Sequence, residues 1–454
     1  MSGCAVSRRL LGVLALVSVL AGATAAFSVS SAAFGAAVLP AVNGAASADR
    51  PATSVFQPGD LVSVYERSQL SDATSTAAAA AAASAGAATT ITRGFQIGMT
   101  SVRRGSVAIQ TASGPGTGTW QFPMSVSAMP LVAIGGVFGR AVSAPISAGA
   151  VVMGSTTAAL RGAMVGDTIT LVAASGAQLA FTIGMVADDS LIGGTEILMS
   201  TDQADALGAT IPTSVLVYGR FDRQVLDAAL GSRGLPSGIV RVRRSWDPQD
   251  PDSTLGLAQT KRLLGEFAFA VSSSGAVAVD PVWQAAYIRP RETYPLGIRA
   301  SCNQAVHADL QAALTDIYNA GLGGAIDVAN TNSAGGCFGP RFNRISANLG
   351  VLSRHSWGQP IDLNTVQNCQ GCVPKLDCRV VVIFRRHGFA WGGNFLLPDG
   401  MHFEWTGRAT DTLQYPSRDC PNPPPPAGTQ ALPSDQQPAA STRTTFFADQ
   451  PWAV

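Results

Sequence analysis

The chain has 454 residues, room for roughly two or three domains and a large buried core. Hydrophobic residues make up 46% and charged residues only 13%, which excludes a charged disordered chain and a coiled coil. The 30 basic and 29 acidic side chains leave a net charge of +1, so there is no electrostatic footprint for nucleic acid. Mean hydropathy is +0.22 and comes largely from Ala-rich stretches; with one apolar run at the N-terminus, a polytopic membrane protein is excluded as well.

In chain order, Arg8 and Arg9 precede the apolar run Leu10 to Leu20, followed by the small residues Ala21 to Ala26. A positive start, a short apolar core and Ala23-Thr24-Ala25 read as a secretory signal peptide over residues 1–26. The alternative is an uncleaved signal anchor, although the run falls short of the ~20 residues that span a bilayer comfortably. Beyond that anchor no membrane insertion is expected, and the protein is expected outside the cytoplasm, secreted or in the cell envelope. Apart from Cys4, all six cysteines lie between Cys302 and Cys420, which in an oxidising compartment predicts up to three disulfides. The rival reading takes Cys369, Cys372, Cys378 and His387 as a structural zinc site.

Residues 27–92 are rich in Ala, Ser and Thr, include the run Ala77 to Ala83, and read as a tether with an ordered piece near Asp60 to Tyr65. Residues 93–255 read as a separate β-rich module of unassigned role. Thr168 to Val172 and Gln178 to Val186 alternate around Ser175-Gly176 and predict a hairpin. Val215 to Tyr218 and Ile239 to Arg243 predict further strands, and short helices are expected after Thr201 and after Asp222. The stretch Val151 to Tyr218, opening VVMGSTTAALRGAMVGDTITL, resembles the periplasmic core module of MacB/FtsX-type exporters over about seventy residues. It contains no His and no Cys, so it reads as a binding or spacing module rather than an enzyme.

Residues 256–416 read as a mixed domain. Leu310, Ala313, Leu314 and Ile317 at helical spacing predict a helix over His307 to Ala320, closed by Gly321. Leu376 to His387 predicts another, with Val380, Val381, Ile383 and Phe384 on one side and Gly388 as its stop. The Pro-rich tail, 417–454, reads as disordered. The fold class expected is α+β: a small antiparallel sheet with flanking helices holding a metal site, preceded by the β-rich module.

The chain has four histidines, His307, His355, His387 and His402. Strand alternation places Ile361 and Leu363 on one face and Asp362 on the other, with His355 just upstream. In Asp399-Gly-Met-His-Phe-Glu-Trp405 the same alternation puts Met401, Phe403 and Trp405 on the apolar face and turns His402 and Glu404 away from it. Two imidazoles and one carboxylate on polar faces suit a catalytic zinc site with a position left for water. Singly, each signal is weak: a His beside a strand is usually structural, and an Asp before Gly is usually a turn residue. His387 reads as a cation at a helix C-terminus, His307 as a surface residue, Trp391 and Trp405 as core, and Glu404 as a residue supporting a ligand.

The joint pattern S-x-H-x-x-G-x-P-x-D, then W-G-G and D-G-M-H-F-E-W, resembles the VanY-like zinc D-alanyl-D-alanine carboxypeptidases and the related L-alanyl-D-glutamate endopeptidases. The resemblance covers about Ile326 to Trp405. It implies His355, Asp362 and His402 as ligands of a Zn2+ ion, Asp399 as catalytic base, and peptidoglycan stem peptides as substrate. It also implies Arg341, in the run Gly335 to Arg341, as the cation that binds substrate and stabilises the transition state, with Arg344 as its rival. Asp rather than Glu at 399 leans towards the endopeptidase branch, and Pro360 stands where the family has a small residue. The alternative to a peptidase is a non-catalytic envelope protein that binds peptidoglycan.

Overall fold

The computed structural model describes residues 59–409 and 419–420, apart from 68, 117, 237, 248, 249, 331 and 332. The expected signal segment and nearly all of the expected Pro-rich tail lie outside the described residues. Among those described, no helix is long and apolar enough to cross a membrane.

The N-terminal part runs β1 (Val62–Glu66), α1 (Asp72–Ser84), β2 (Ala88–Arg104), β3 (Val107–Thr111), β4 (Phe122–Met129), α2 (Leu131–Phe138), α3 (Arg140–Ser147), β5 (Val151–Gly154) and α4 (Ser155–Arg161). It continues through β6 (Thr168–Val172), β7 (Gln178–Ala187), β8 (Ile197–Ser200), α5 (Thr201–Ala206), β9 (Ser214–Tyr218), α6 (Arg223–Ser232) and β10 (Val240–Arg244). The predicted hairpin is β6–β7, and both short helices are present, capped by Ser200 and Asp222.

β2 is long enough to serve two sheets. Its first residues pair with β9, extending a side sheet ordered β10–β1–β9–β2. Further along it pairs with β4 and β6, and the succession β2–β4–β8–β5–β7–β6 returns to β2 as a closed six-stranded barrel. Closure removes the open edges of the ring, and Phe95, Val126, Val151, Ile169, Ile183 and Ile197 pack in its core.

Within the stretch expected as a tether, the ordered piece near Asp60 to Tyr65 is β1, whereas α1 departs from that expectation by covering the side sheet. Ala is the strongest helix former, and Ser71 caps the run by accepting from Thr74 N. A composition read as linker also makes a helix with one very small face. Ala78, Ala81 and Ala82 lie on that face, buried against Val62, Val64, Val215, Val217 and Leu226. The apolar strands supply the burial that the Ala run lacks by itself.

The C-terminal part comprises α7 (Leu257–Leu264), β11 (Phe269–Val271), β12 (Val277–Val279), α8 (Pro281–Tyr287), β13 (Ile288–Thr293), β14 (Arg299–Asn303) and α9 (His307–Asn319). It ends with β15 (Ala334–Gly336), β16 (Pro360–Leu363), α10 (Cys378–Arg386), β17 (Phe389–Trp391) and β18 (His402–Trp405). The last four strands form an antiparallel sheet in the order β15–β16–β18–β17, as expected. Leu310, Leu314 and Ile317 of α9 and Val380, Val381 and Phe384 of α10 share one core with Ile361, Leu363 and Phe403 of the sheet.

The described residues on both sides of the expected boundary at 255/256 fall in one compact unit. Lys261 of α7 is fully buried, donating to Pro123 O and lying 2.8 Å from Glu196 and 3.1 Å from Glu266, which also meets Arg161. Asp252 chelates Arg385 at 2.9 and 2.6 Å and accepts from Trp391 N, so a residue assigned to the module sits inside the C-terminal core. Gln96 of β2 accepts from Leu352 N at 3.1 Å. Beside it, Gly350 has φ 71° and approaches Gln96 O so closely that a Cβ would lie 2.4 Å away, so only glycine fits. Charges buried this deeply require partners, and here the partners come from both sides of the expected boundary.

Candidate metal centre

Alternation in β16 sends Ile361 and Leu363 into the core and leaves Asp362 facing the other way. Register with β18 puts Asp362 directly opposite His402. Neighbouring residues on paired strands project to the same face, so the two side chains meet. His355 is not in a strand. It sits on a 3-10 turn, Arg354–Trp357, started by Ser353, whose Oγ accepts from His355 N. Gly358 ends the turn at φ 63° and redirects the chain into β16.

One ligand atom from each of His355, Asp362 and His402 lies within 4.8 Å of the others, and all three residues are buried. His355 Nε2 is 3.2 Å from Asp362 Oδ2, and His402 Nδ1 is 3.1 Å from Asp362 Oδ1. The remote nitrogens are held as well: His355 Nδ1 lies 2.8 Å from Cys337 O, and His402 Nε2 3.4 Å from Glu404 Oε2. Such outer partners fix the rotation and tautomer of a metal-binding imidazole. Glu404 is in turn held by Gln359 Nε2 at 3.3 Å, with Arg354 Nε 3.6 Å away.

The electrostatics suit a cation. Burial pushes the Asp362 carboxyl up, but the charges and hydrogen bonds of His355 and His402 outweigh it and hold the group far below the carboxylate range. Burial disfavours charge on His402, yet its hydrogen bonds to Asp362 and Glu404 raise its pKa to about 10. Asp362 is thus a buried anion faced by two imidazoles, a charge that a divalent metal can balance in place of protons. Two imidazoles and a carboxylate are a donor set that zinc accepts, so these residues fit the ion.

Asp399 precedes β18 and accepts His402 N on its backbone oxygen at 3.1 Å. Its Oδ2 accepts from Gln370 Nε2 at 3.2 Å, while its buried Oδ1 has no hydrogen-bond partner among the described residues. Burial raises its pKa above the usual carboxylate value. Arg341 is half-buried in the same groove; burial lowers its pKa, against the attraction of Asp362 and Asp399. Its backbone is tied to the His355 turn, with Ser353 N donating to Arg341 O at 2.9 Å. Arg344 lines the groove as well and is exposed.

All five residues singled out in the sequence, and the rival Arg344, therefore border one groove. Met401 departs from the expected apolar face and lines the groove, because β18 begins only at His402. Gln370 carried no sequence signal; it reaches Asp399 through an isolated bridge between the two residues. Arg354 and Gln359, buried beneath the site, were equally invisible. The cysteines pair as Cys302–Cys337, Cys369–Cys372 and Cys378–Cys420, which removes the rival zinc site. His387 meets Asp316 at 2.8 Å, and His307 is half-buried against Tyr294 rather than at the surface.

Residues 347–405 match an M15 peptidase family model described as D-alanyl-D-alanine carboxypeptidase. The match contains His355, Asp362, Asp399 and His402, begins after Arg341 and Arg344, and supports a peptidase, hence a hydrolase. No curated protein matches the chain.

Proposed function

We propose that the chain is an exported zinc metallopeptidase that hydrolyses peptide bonds of peptidoglycan stem peptides, of the L-Ala-D-Glu endopeptidase or D-Ala-D-Ala carboxypeptidase type. The observation that carries this reading is the buried His355–Asp362–His402 cluster beside a carboxylate with one unpartnered oxygen. Export is supported by the basic-then-apolar N-terminus and by three cysteine pairs.

His355, Asp362 and His402 would hold the ion, with the imidazole nitrogens that already face Asp362. Zinc supplies Lewis acidity, which polarises a carbonyl and makes water acidic enough to attack at neutral pH. Asp399 is the general base: Oδ1 takes the proton of the attacking water and passes it to the leaving amine, while Gln370 fixes Oδ2. A raised pKa suits a group that must both accept and return a proton. Arg341 binds a substrate carboxylate or the developing oxyanion, for which its planar fork is fitted. Asp in place of Glu at 399 favours the endopeptidase, whereas the matched family model bears the carboxypeptidase description.

The test is mass spectrometry of defined muropeptides incubated with the zinc-loaded full chain and with Asp399→Asn. Loss of a terminal alanine identifies a carboxypeptidase, and release of the stem after its first residue an endopeptidase. Intact peptides from folded, zinc-bound protein would leave a peptidoglycan-binding protein as the better reading.

A further inference from the structure

We propose that the N-terminal side sheet forms the second wall of the active-site groove and reads a second substrate carboxylate, apart from the group that Arg341 meets, through Arg67 and Arg243. This inference rests on the groove being a peptidase site. The groove, of about 1010 Å³, is lined by His355, Asp362 and His402 of the C-terminal part and by Tyr65, Arg67 and residues 240–243 of the N-terminal part. That volume is at the top of the range of roughly 300–1,000 Å³ for small-ligand sites, leaving room beyond a dipeptide.

All four residues from Val240 to Arg243 line the groove. Side chains alternate across a strand, so a strand showing its face would contribute only every second one. β10 therefore presents its edge, and it is the end strand of its sheet. The wall is joined to the loop that carries the base. Arg241 Nη2 donates to Asn394 O at 2.6 Å, and Asn394 ends the turn whose Gly392 O accepts Asp399 N at 2.8 Å.

Acids also border this wall. Asp247 accepts from Arg244 N at 2.7 Å and lies 3.7 Å from its guanidinium, while Asp252 is chelated by Arg385. Asp250 and Asp419 line the groove with partners of their own, as do Arg241 and Arg243. A guanidinium offers five donors, so an Arg held by one partner is oriented for another. Arg67 donates to Gly238 O, and its buried Nε has no hydrogen-bond partner among the described residues. With Arg341 contributed by the C-terminal part, both parts bring guanidinium groups to the groove, which fits a peptide bearing two separated carboxylates.

The test is calorimetric binding to the full chain of a synthetic stem pentapeptide whose glutamyl α-carboxylate is either free or amidated, the terminal carboxylate being kept in both. Wild type should bind the free acid roughly tenfold more tightly, as expected for a charge-assisted hydrogen bond. Arg67→Ala/Arg243→Ala should abolish that preference. Equal affinity of wild type for the two peptides overturns the proposal even if the variant fails to fold, and so does a preference that survives in a folded variant. Because binding is read without turnover, failure of the peptidase reading shows separately, as intact peptide in the muropeptide assay.

Discussion

The barrel and the metal-site sheet are both small β structures, yet they place buried polarity differently. The barrel packs an apolar core and closes on itself, and its buried charges, Glu196 with Lys261 and Arg161 with Glu266, gather where the C-terminal part meets it. The C-terminal sheet has four strands of three or four residues, with Ile361, Leu363 and Phe403 on its core side. On its other side it buries His355, Asp362, His402 and Glu404. Burying such groups is costly unless each finds a partner, so the sheet is supported by the Cys302–Cys337 cross-link and by Asp252 and Arg385 beneath it. The candidate metal centre lies where polar groups are held at a cost to stability.

That contrast can be broken experimentally. The largest effect is expected at the ligands: Asp362→Asn or His402→Ala should abolish stoichiometric zinc binding by atomic absorption and reduce hydrolysis to background. Next, Asp399→Asn should keep zinc while lowering kcat by roughly 10²–10⁴-fold, the usual contribution of a general acid–base. A comparable loss of bound zinc would instead make Asp399 part of the metal shell.

Stability variants should strike the junction between the two regions. Lys261→Met leaves Glu196 buried without its cation and Glu266 with Arg161 alone, and should cost about 3–5 kcal/mol in denaturant unfolding. If the barrel and the C-terminal part were independent, only one of two transitions would move. A smaller effect is expected for Gln370→Met, which removes the donor to Asp399 at similar size. It should lower kcat roughly tenfold with little change in KM, since an H-bond to a charged group is lost.

The smallest effect concerns acid. Asp167 accepts two bonds from Arg104 at 2.9 Å, which hold its carboxyl below the ordinary range. A depressed folded pKa gives stability that is present above the unfolded value of about 3.9 and lost as pH falls through the folded one. Asp167→Asn should therefore flatten the acid side of the melting-temperature profile and leave the neutral region little changed. An unaltered acid slope would remove Asp167 from the barrel's acid sensitivity.

Much of the site was legible in the sequence because its chemistry is carried by rare residue types in short, ordered runs. With four histidines in the chain, His355 and His402 stand out, and alternation alone assigns the faces of Asp362 and Phe403. Local signals also located α9, α10 and the β6–β7 hairpin, since helix period, glycine stops and turn residues act within a few positions. Gln370, Arg354 and the arginines of β10 were not legible. Gln370 and the β10 arginines lie from tens of residues to more than a hundred from the groups they serve, and Arg354, though next to His355, shows its role only through Glu404, fifty residues on; none leaves a local periodicity. The Ala-rich run shows the same limit: composition fixes its helical propensity, but only Val62, Val64 and Val217 across the sheet decide that it is buried rather than a tether. The junction was lost for this reason as well, because Lys261 meets Glu196 only after both strand order and barrel closure are set. Residue chemistry and local period are properties of the sequence by itself, whereas pairing partners, burial of charge and the walls of the groove arise from long-range packing.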